Sequence, residues 1–429
     1  MTGPDALLDE IGARTGALVD LTRQLVAIPT LNPPGANYRD ICLFLQKRLE
    51  RSGYICSLLR AHGAPGDSDR HPRWNLVARR EGARPGPCVH FNSHIDVVTV
   101  GQDWTRDPFG GDVVNGRIFG RGTCDMKGGL ATSIIAAEAF ADLVPDFSGA
   151  IEISATADEE TGGYGGVAYL AENGWFNPDR VQHVIIPEPL NKDRICLGHR
   201  GVWWAEIETR GRIAHGSMPF LGDCAVRHMG AVLSAFEREL FPALAAKSTT
   251  MPVVPPAARQ SCLNVNALHG GEPEQDDDFS GFPAACVPDR CRMVVDRRFL
   301  FEESIADVKS EVTEILDRLQ ENRPGFRYAI RDLFEVLPVM ADRDSPVAAS
   351  VARSIHQVLG RDPEFVVSPG TYDQKHIDRI GRMKNCIAYG PGILDLAHQP
   401  DEWIGIDDMV DSARVMALAL LSLLAGPRT

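Results

Sequence analysis

Five short clusters of acidic and histidine residues punctuate this chain: His94-Ile95-Asp96, Asp125 in GRGTCDMKGG, Glu159-Glu160 in TADEETGG, Glu188 in VIIPEP, and His398 in AHQPDEW. Each follows, or lies just beyond, an apolar run that reads as a strand because turn-forming residues bound it. Carboxylates and imidazoles gathered at strand ends are the ingredients of a metal site at the edge of an α/β sheet. Packing gives no reason to place a charged cluster beside a turn at the end of one apolar run after another. The chain must therefore bury its strands while bringing these groups to one edge.

At 429 residues the chain exceeds one ordinary core and predicts two domains. Its 44% hydrophobic and 24% charged residues are those of a globular protein in water. A net charge of -14 and the absence of any basic run of five residues oppose binding to nucleic acid or to an anionic membrane. The same charge suits the holding of cations. The N-terminus, MTGPDALLDE, has acids where a secretory signal needs a basic start and an apolar centre. The most apolar stretch, MALALLSLLA at 416–425, is about half the ~20 residues of a membrane span and reads as the last buried helix. Ten cysteines without a CxxC pair predict free thiols in a reducing cytoplasm, with Cys286 and Cys291 as ordinary strand residues.

Helical spacing covers 6–28 and stops at the breaker IPTLNPPG, and a second amphipathic helix fits 37–52. Apolar runs at 74–78, 87–93, 149–157 and 181–187 predict strands, and the small, apolar segment 127–143 predicts a buried helix. Strand and helix in alternation mean a mixed, largely parallel sheet flanked by helices. Near Gly201 the texture changes. Alternating runs at 202–211, 263–271 and 291–299, with helices at 221–240 and 303–321, predict a small α+β insert, and the Asp-, Gly- and Pro-rich stretch 272–290 a long loop. The α/β texture resumes near residue 330, with a strand at 385–392 and a closing helix at 406–425. The expected organisation is a first domain built from 1–200 and 329–429, interrupted by a domain at 201–328, so His398 belongs with the earlier clusters.

Each cluster has a plainer reading. His94 and Asp96 flank one residue of an extended segment, where i and i+2 share a side, so the carboxylate can hold the tautomer of a metal-binding imidazole; a polar turn after a strand is the alternative. Asp125, between Gly122 and Lys127-Gly128-Gly129, can approach two cations or cap the next helix. Glu159 and Glu160 are adjacent, so their side chains diverge and can serve as base and ligand, or form a solvated turn. Glu188, after five apolar residues, needs a partner at the mouth of a buried strand. His398 can close the set or sit at the surface. The run 163–168 also fits GxGxxA, a dinucleotide fingerprint, but the three acids before it would repel a pyrophosphate.

At these clusters the chain resembles the family of aminoacylase, acetylornithine deacetylase, succinyl-diaminopimelate desuccinylase and carboxypeptidase G, over nearly its whole length. The resemblance implies two zinc ions, with cobalt or manganese as substitutes, in a catalytic domain, and an inserted lid domain that forms a homodimer. It implies that His94 and Glu188 bind one metal, Glu160 and His398 the other, and Asp125 both. Asp96 would orient His94, Glu159 would be the general base, and the Asp125–Met126 peptide would be cis. In the lid, Gly211 to Pro219 is similar to the family's GxxxHxxxP segment, whose His, here His215, stabilises an oxyanion in the partner's site. Asn264 and Arg298 match positions that bind the substrate's carboxylate, with Arg297 as the alternative because only one of the two can point inward on a strand. Gly370-Thr371 resembles a substrate-binding turn.

The stretch from Ser368 to His376, SPGTYDQKH, departs from the family pattern by placing Tyr372 between Thr371 and Asp373. An aromatic there predicts a substrate-facing ring. The resemblance implies a metal-dependent hydrolase of an amide bond in a small carboxylate-bearing substrate, foremost an N-acyl amino acid. A carboxypeptidase or dipeptidase, a hydrolytic deaminase of an aromatic amino acid, and a non-catalytic binding protein are the alternatives.

Overall fold

The computed structural model describes residues 3–271 and 285–425, so most of the expected loop 272–290 lies outside the described residues. The chain divides into two compact units, one of Met1–Gly198, Met340–Val366 and Tyr372–Thr429, the other of His199–Val339 and Val367–Thr371.

The first unit is built on a nine-stranded sheet. Its four central strands, Ser148–Thr156, Arg84–His94, His183–Ile186 and Cys386–Ala388, are neighbours in that order and run parallel. Trp74–Glu81 and Ile55–Arg60 extend one side antiparallel, and Arg194–His199 continues the other antiparallel. The sheet is thus mixed, with its parallel part at the centre. Those central strands are buried on both faces, which explains why their sequences read as apolar runs rather than alternations. Helices supply the cover: Gly128–Leu143, Pro346–Leu359 and Ile406–Leu424. The first of these is buried from Gly128 to Ala141 because its small residues let it lie close to its neighbours. Gly129 shows how close: a Cβ there would meet the carbonyl oxygen of Pro187 at 2.0 Å. That approach sets the turn carrying Asp125 beside the strand end carrying Glu188.

The expected helix at 6–28 is two, Pro4–Ala13 and Thr15–Val26, separated at Arg14. No helix of the described residues is long and apolar enough to cross a membrane, and among them no disulfide joins the ten cysteines.

The second unit is a four-stranded antiparallel sheet in the order Cys262–Gly270, Arg290–Phe299, Gly201–Arg210, Arg327–Val336. The last strand pairs along Gly201–Arg210, which carries this unit to Val339, past residue 328 where the change of texture placed its end. Helices Ala225–Ala235 and Ile305–Asn322 share a core with Trp203, Ala205, Ile207, Met293 and Val295. Ser304 caps the second helix by accepting the Asp307 N–H at 3.1 Å.

Candidate metal centre

Strand Arg84–His94 delivers His94 to the C-terminal edge of the parallel sheet, the edge at which open α/β sheets bind ligands. The turn before Gly128–Leu143 brings Asp125, and the Asp125–Met126 peptide is cis, as expected. Around Asp125 the clusters converge. His94 Nε2 lies 3.0 Å from Asp125 Oδ1 and 4.0 Å from Glu188 Oε1. His398 Nε2 lies 3.4 Å from Asp125 Oδ2 and 3.1 Å from Glu160 Oε1. One carboxylate therefore turns an oxygen to each imidazole, and each imidazole has a second carboxylate beside it.

The donors fit two divalent cations. Each half offers one imidazole nitrogen and one carboxylate of its own and shares Asp125, and His94, Asp125 and Glu160 present ligand atoms within 4.8 Å of one another. The electrostatics ask for positive charge. Burial, reinforced by Asp125, pushes the Glu188 carboxyl well above its ordinary value. Burial likewise pushes Glu160 up to about 7, with Asp125 adding to it against the His398 hydrogen bond. His398 rises to about 10 through its contacts with Asp125 and then Glu160. His94 also rises, because its Asp125 hydrogen bond and nearby carboxylates outweigh burial. Asp125 falls, since hydrogen bonds from His398 and His94 overcome its burial. The cluster holds protons where bound cations would displace them.

Asp96 works differently from the expectation that its carboxylate orients His94. His94 Nδ1 sits 3.0 Å from the Asp96 main-chain oxygen and 3.6 Å from the carboxylate. A proton on Nδ1, a tautomer assigned from these contacts, leaves Nε2 to face Asp125. The carboxylate itself accepts the N–H groups of Glu159 and Glu160, each at 3.1 Å, and the Asn32 amide at 2.9 Å. Asp96 thus fixes the turn that carries both Glu159 and Glu160.

Three supports have no counterpart in the sequence analysis. Glu402 accepts the N–H groups of Cys124 and Asp125 on one oxygen, at 2.8 and 3.1 Å, and Arg121 on the other at 2.6 Å. Arg121 also donates to the His398 carbonyl at 3.2 Å, so one buried pair holds Asp125 and His398 in register. Asp158, accepting from Tyr38 and Arg73 at 3.0 Å each, anchors the start of the 159–163 turn. Lys375 donates to Glu159 Oε1 at 2.9 Å from a fully enclosed position. Burial works against its charge, and Glu159, Asp373 and Glu188 outweigh it, so the ammonium stays protonated. Glu402 stands in the same AHQPDEW stretch as His398 and Lys375 in the atypical SPGTYDQKH, but no local pattern marks either as a support.

Tyr372 corrects the expectation of a substrate-facing ring. It is buried, and its hydroxyl donates to Gln374 Oε1 at 2.5 Å, because Gln374 in turn ties the loop to the carbonyls of Leu197 and Cys386.

The remaining expected residues belong to the second unit. His215 is exposed, and its Nδ1 accepts the Ser217 N–H at 3.1 Å, which puts the proton on Nε2. Asn264 pairs across the sheet with Asp296, and Asp296 holds Arg298 in a two-pronged contact at 2.7 and 2.9 Å, so Asn264 and Arg298 share a face. Arg297 points to the opposite face, fully buried against Glu303 at 2.7 Å and Glu311 at 3.2 Å. Arg297 is therefore a core residue. Gly370 and Thr371 follow Pro369, whose carbonyl, like that of Ser368, accepts from Arg200.

Residues 90–422 match the model of peptidase family M20/M25/M40. A succinyl-diaminopimelate desuccinylase of Rhodospirillum rubrum is 28% identical over 427 residues, covering 95% of this chain and 98% of that one. Human carnosine dipeptidase 1 matches in structure with a TM-score of 0.76 at 18% identity, over 98% of both chains. An M20 family metallo-carboxypeptidase of Sulfolobus solfataricus gives 0.74 at 19% identity, over 94% of this chain and 98% of that one. At such identities these two structures share the fold.

Supports behind metal ligands usually govern affinity by 10–100-fold. Glu402→Gln, which puts an amide where two N–H groups and a guanidinium converge, is expected to weaken zinc binding by about that factor in competition with a chromogenic chelator. Unchanged affinity would remove Glu402 from this role.

Proposed function

The chain belongs to peptidase family M20/M25/M40, and from that premise we propose that it is a dinuclear metal-dependent deacylase of N-acyl amino acids. The observation that carries the proposal is the Asp125 carboxylate shared between two imidazole–carboxylate sets, with Glu159 next to the ligand Glu160. Zinc suits the donors, and cobalt or manganese could take the same positions. Cations held by His94, Asp125, Glu160, Glu188 and His398 would supply a water of lowered pKa and a polarised scissile carbonyl. Glu159 accepts a proton from that water and delivers it to the leaving nitrogen. Asp96 keeps Glu159 and Glu160 in fixed relation through their main-chain N–H groups. Arg298, Asn264 and the Gly370-Thr371 turn are assigned to the substrate's carboxylate, for which a guanidinium fork is well matched.

The desuccinylase name of the Rhodospirillum rubrum relative supports an N-acyl amino acid as substrate, and Glu rather than Asp at position 188 leans the same way. The peptidase alternative shares every residue of this mechanism and differs only in the acyl group attached to the scissile nitrogen. The deaminase alternative has less support, because Tyr372 is buried and its hydroxyl is bonded to Gln374. A cytoplasmic setting fits cysteines that form no disulfide.

A mass-spectrometric screen of zinc-loaded protein against N-succinyl, N-acetyl, N-formyl and N-carbamoyl amino acids and dipeptides tests the reaction. N-acyl amino acids, N-succinyl-diaminopimelate among them, are expected to be cleaved, with activity removed by a chelator and restored by zinc. Glu159→Gln should keep two zinc ions and lose about 10²–10⁴-fold in turnover, the usual worth of a general base. A silent panel with two ions bound would turn the assignment to a binding protein, and cleavage of dipeptides alone would turn it to a peptidase.

The second unit is assigned the role of a homodimer surface, with the Nε2–H of His215 donating to the oxyanion in the partner's site. Support comes from Ile213, Phe220 and Leu221, which are 60, 77 and 53% exposed around His215, an apolar patch of the kind that marks an association surface. Mixing equal amounts of His215→Ala and Glu159→Gln subunits is expected to recover about a quarter of the wild-type activity once subunits exchange, because about half the dimers are mixed and each contains one intact site of two. A mixture as inactive as its parents, with exchange verified by mass, would contradict the crossing role.

A further inference from the structure

Lys375 occupies a position that neither metal binding nor substrate binding requires. Its side chain is 2% exposed, and its ammonium lies 2.9 Å from Glu159 Oε1. Burying an ion pair seldom adds net stability, because desolvation consumes the attraction, so a lysine enclosed against the base needs a reason other than stability. The surroundings supply one. The neighbouring residue closes on the turn that bears Glu159, since His376 Nε2 lies 2.7 Å from the Gly162 carbonyl, which accepts its proton, and Asp373 ties the same segment to strand Arg84–His94 by accepting the Asn92 amide at 2.9 Å. The fit is tight enough that a Cβ on Gly163, which also has φ +79°, would stand 3.1 Å from both Asp373 Oδ1 and a ring carbon of His376.

We infer that Lys375 is a positioning residue for the general base, holding one carboxylate oxygen of Glu159 so that the other is aimed at the reacting water. The inference rests on Glu159 being that base. The Asp96 carboxylate fixes the main chain of Glu159, but leaves its side-chain torsions unconstrained; the Lys375 ammonium supplies that constraint. A base that samples other rotamers spends less time in reacting geometry, and such misplacement costs about 10²-fold in rate without touching the affinity for substrate. An ion pair serving the fold alone would change the melting temperature and leave turnover per folded molecule as it was.

The test compares Lys375→Met, which keeps the length and loses the charge, with Lys375→Arg, each as the zinc-loaded full chain, on the compound cleaved fastest in the acyl-amino-acid panel. Lys375→Met is expected to bind two zinc ions, to lose about 10²-fold in kcat and to keep KM within about twofold, while Lys375→Arg recovers at least tenfold of the loss. In the double variant with Glu159→Gln, the lysine change should cost nothing further, because its effect runs through that carboxylate. A crystal structure of the zinc-loaded Lys375→Met protein should show the Glu159 side chain in more than one rotamer. A kcat within twofold of wild type, a loss confined to KM, or full additivity with Glu159→Gln would each overturn the inference. Should Lys375→Met fail to fold, Lys375→Gln replaces it in the same comparison with the same outcomes. Full activity of Glu159→Gln alone would instead overturn the assignment of the base.

Discussion

The Asp125 carboxylate is the contact on which the site depends. Its two oxygens face His94 at 3.0 Å and His398 at 3.4 Å, from residues separated by about three hundred positions in the chain. For that to happen the sheet must bring Cys386–Ala388 beside His183–Ile186, and the helix after Asp125 must reach Pro187 as closely as only glycine permits. The fold of the first unit is thereby tied to the chemistry at its edge. The Arg121–Glu402 pair completes the tie, since it grips the Asp125 main chain and the His398 carbonyl together.

Charge explains why so many supports surround this small cluster of carboxylates and imidazoles. Asp96, Asp125, Glu160 and Glu188 are gathered in a region with little water, where an isolated carboxylate is costly. Three of them meet specific partners, main-chain N–H groups for Asp96 and imidazoles for Asp125 and Glu160, while Glu188 has His94 no nearer than 4.0 Å. Cations bound between these groups would do the same work more completely. The net charge of -14 thus includes a set of anions gathered in one place, where cations would fit among them.

Much of this was legible from sequence alone. Turn residues after apolar runs located His94, Glu159 and Glu188 at strand ends, since two-sided burial leaves a continuous apolar signature. The order of the motifs then related His398 to the others, through resemblance rather than through any local signal. What escaped was of another kind. Glu402, Arg121 and Lys375 act through long-range contacts, spanning 216 to 281 positions, that no periodicity encodes. Tyr372 misled because an aromatic inserted in a loop looks equally apt for a ligand or for the interior, and only the position of Gln374 decides between them. The two arginines of the second unit could be separated only once Glu303 and Glu311 were seen behind Arg297.

Anomalous diffraction at the zinc edge, on crystals of the zinc-loaded protein, tests the central claim most directly. The account predicts two peaks on either side of Asp125, each within about 2.0–2.2 Å of one Asp125 oxygen, one also bound by His94 and Glu188 and the other by Glu160 and His398. A single ion, or two ions that do not share Asp125, would contradict it.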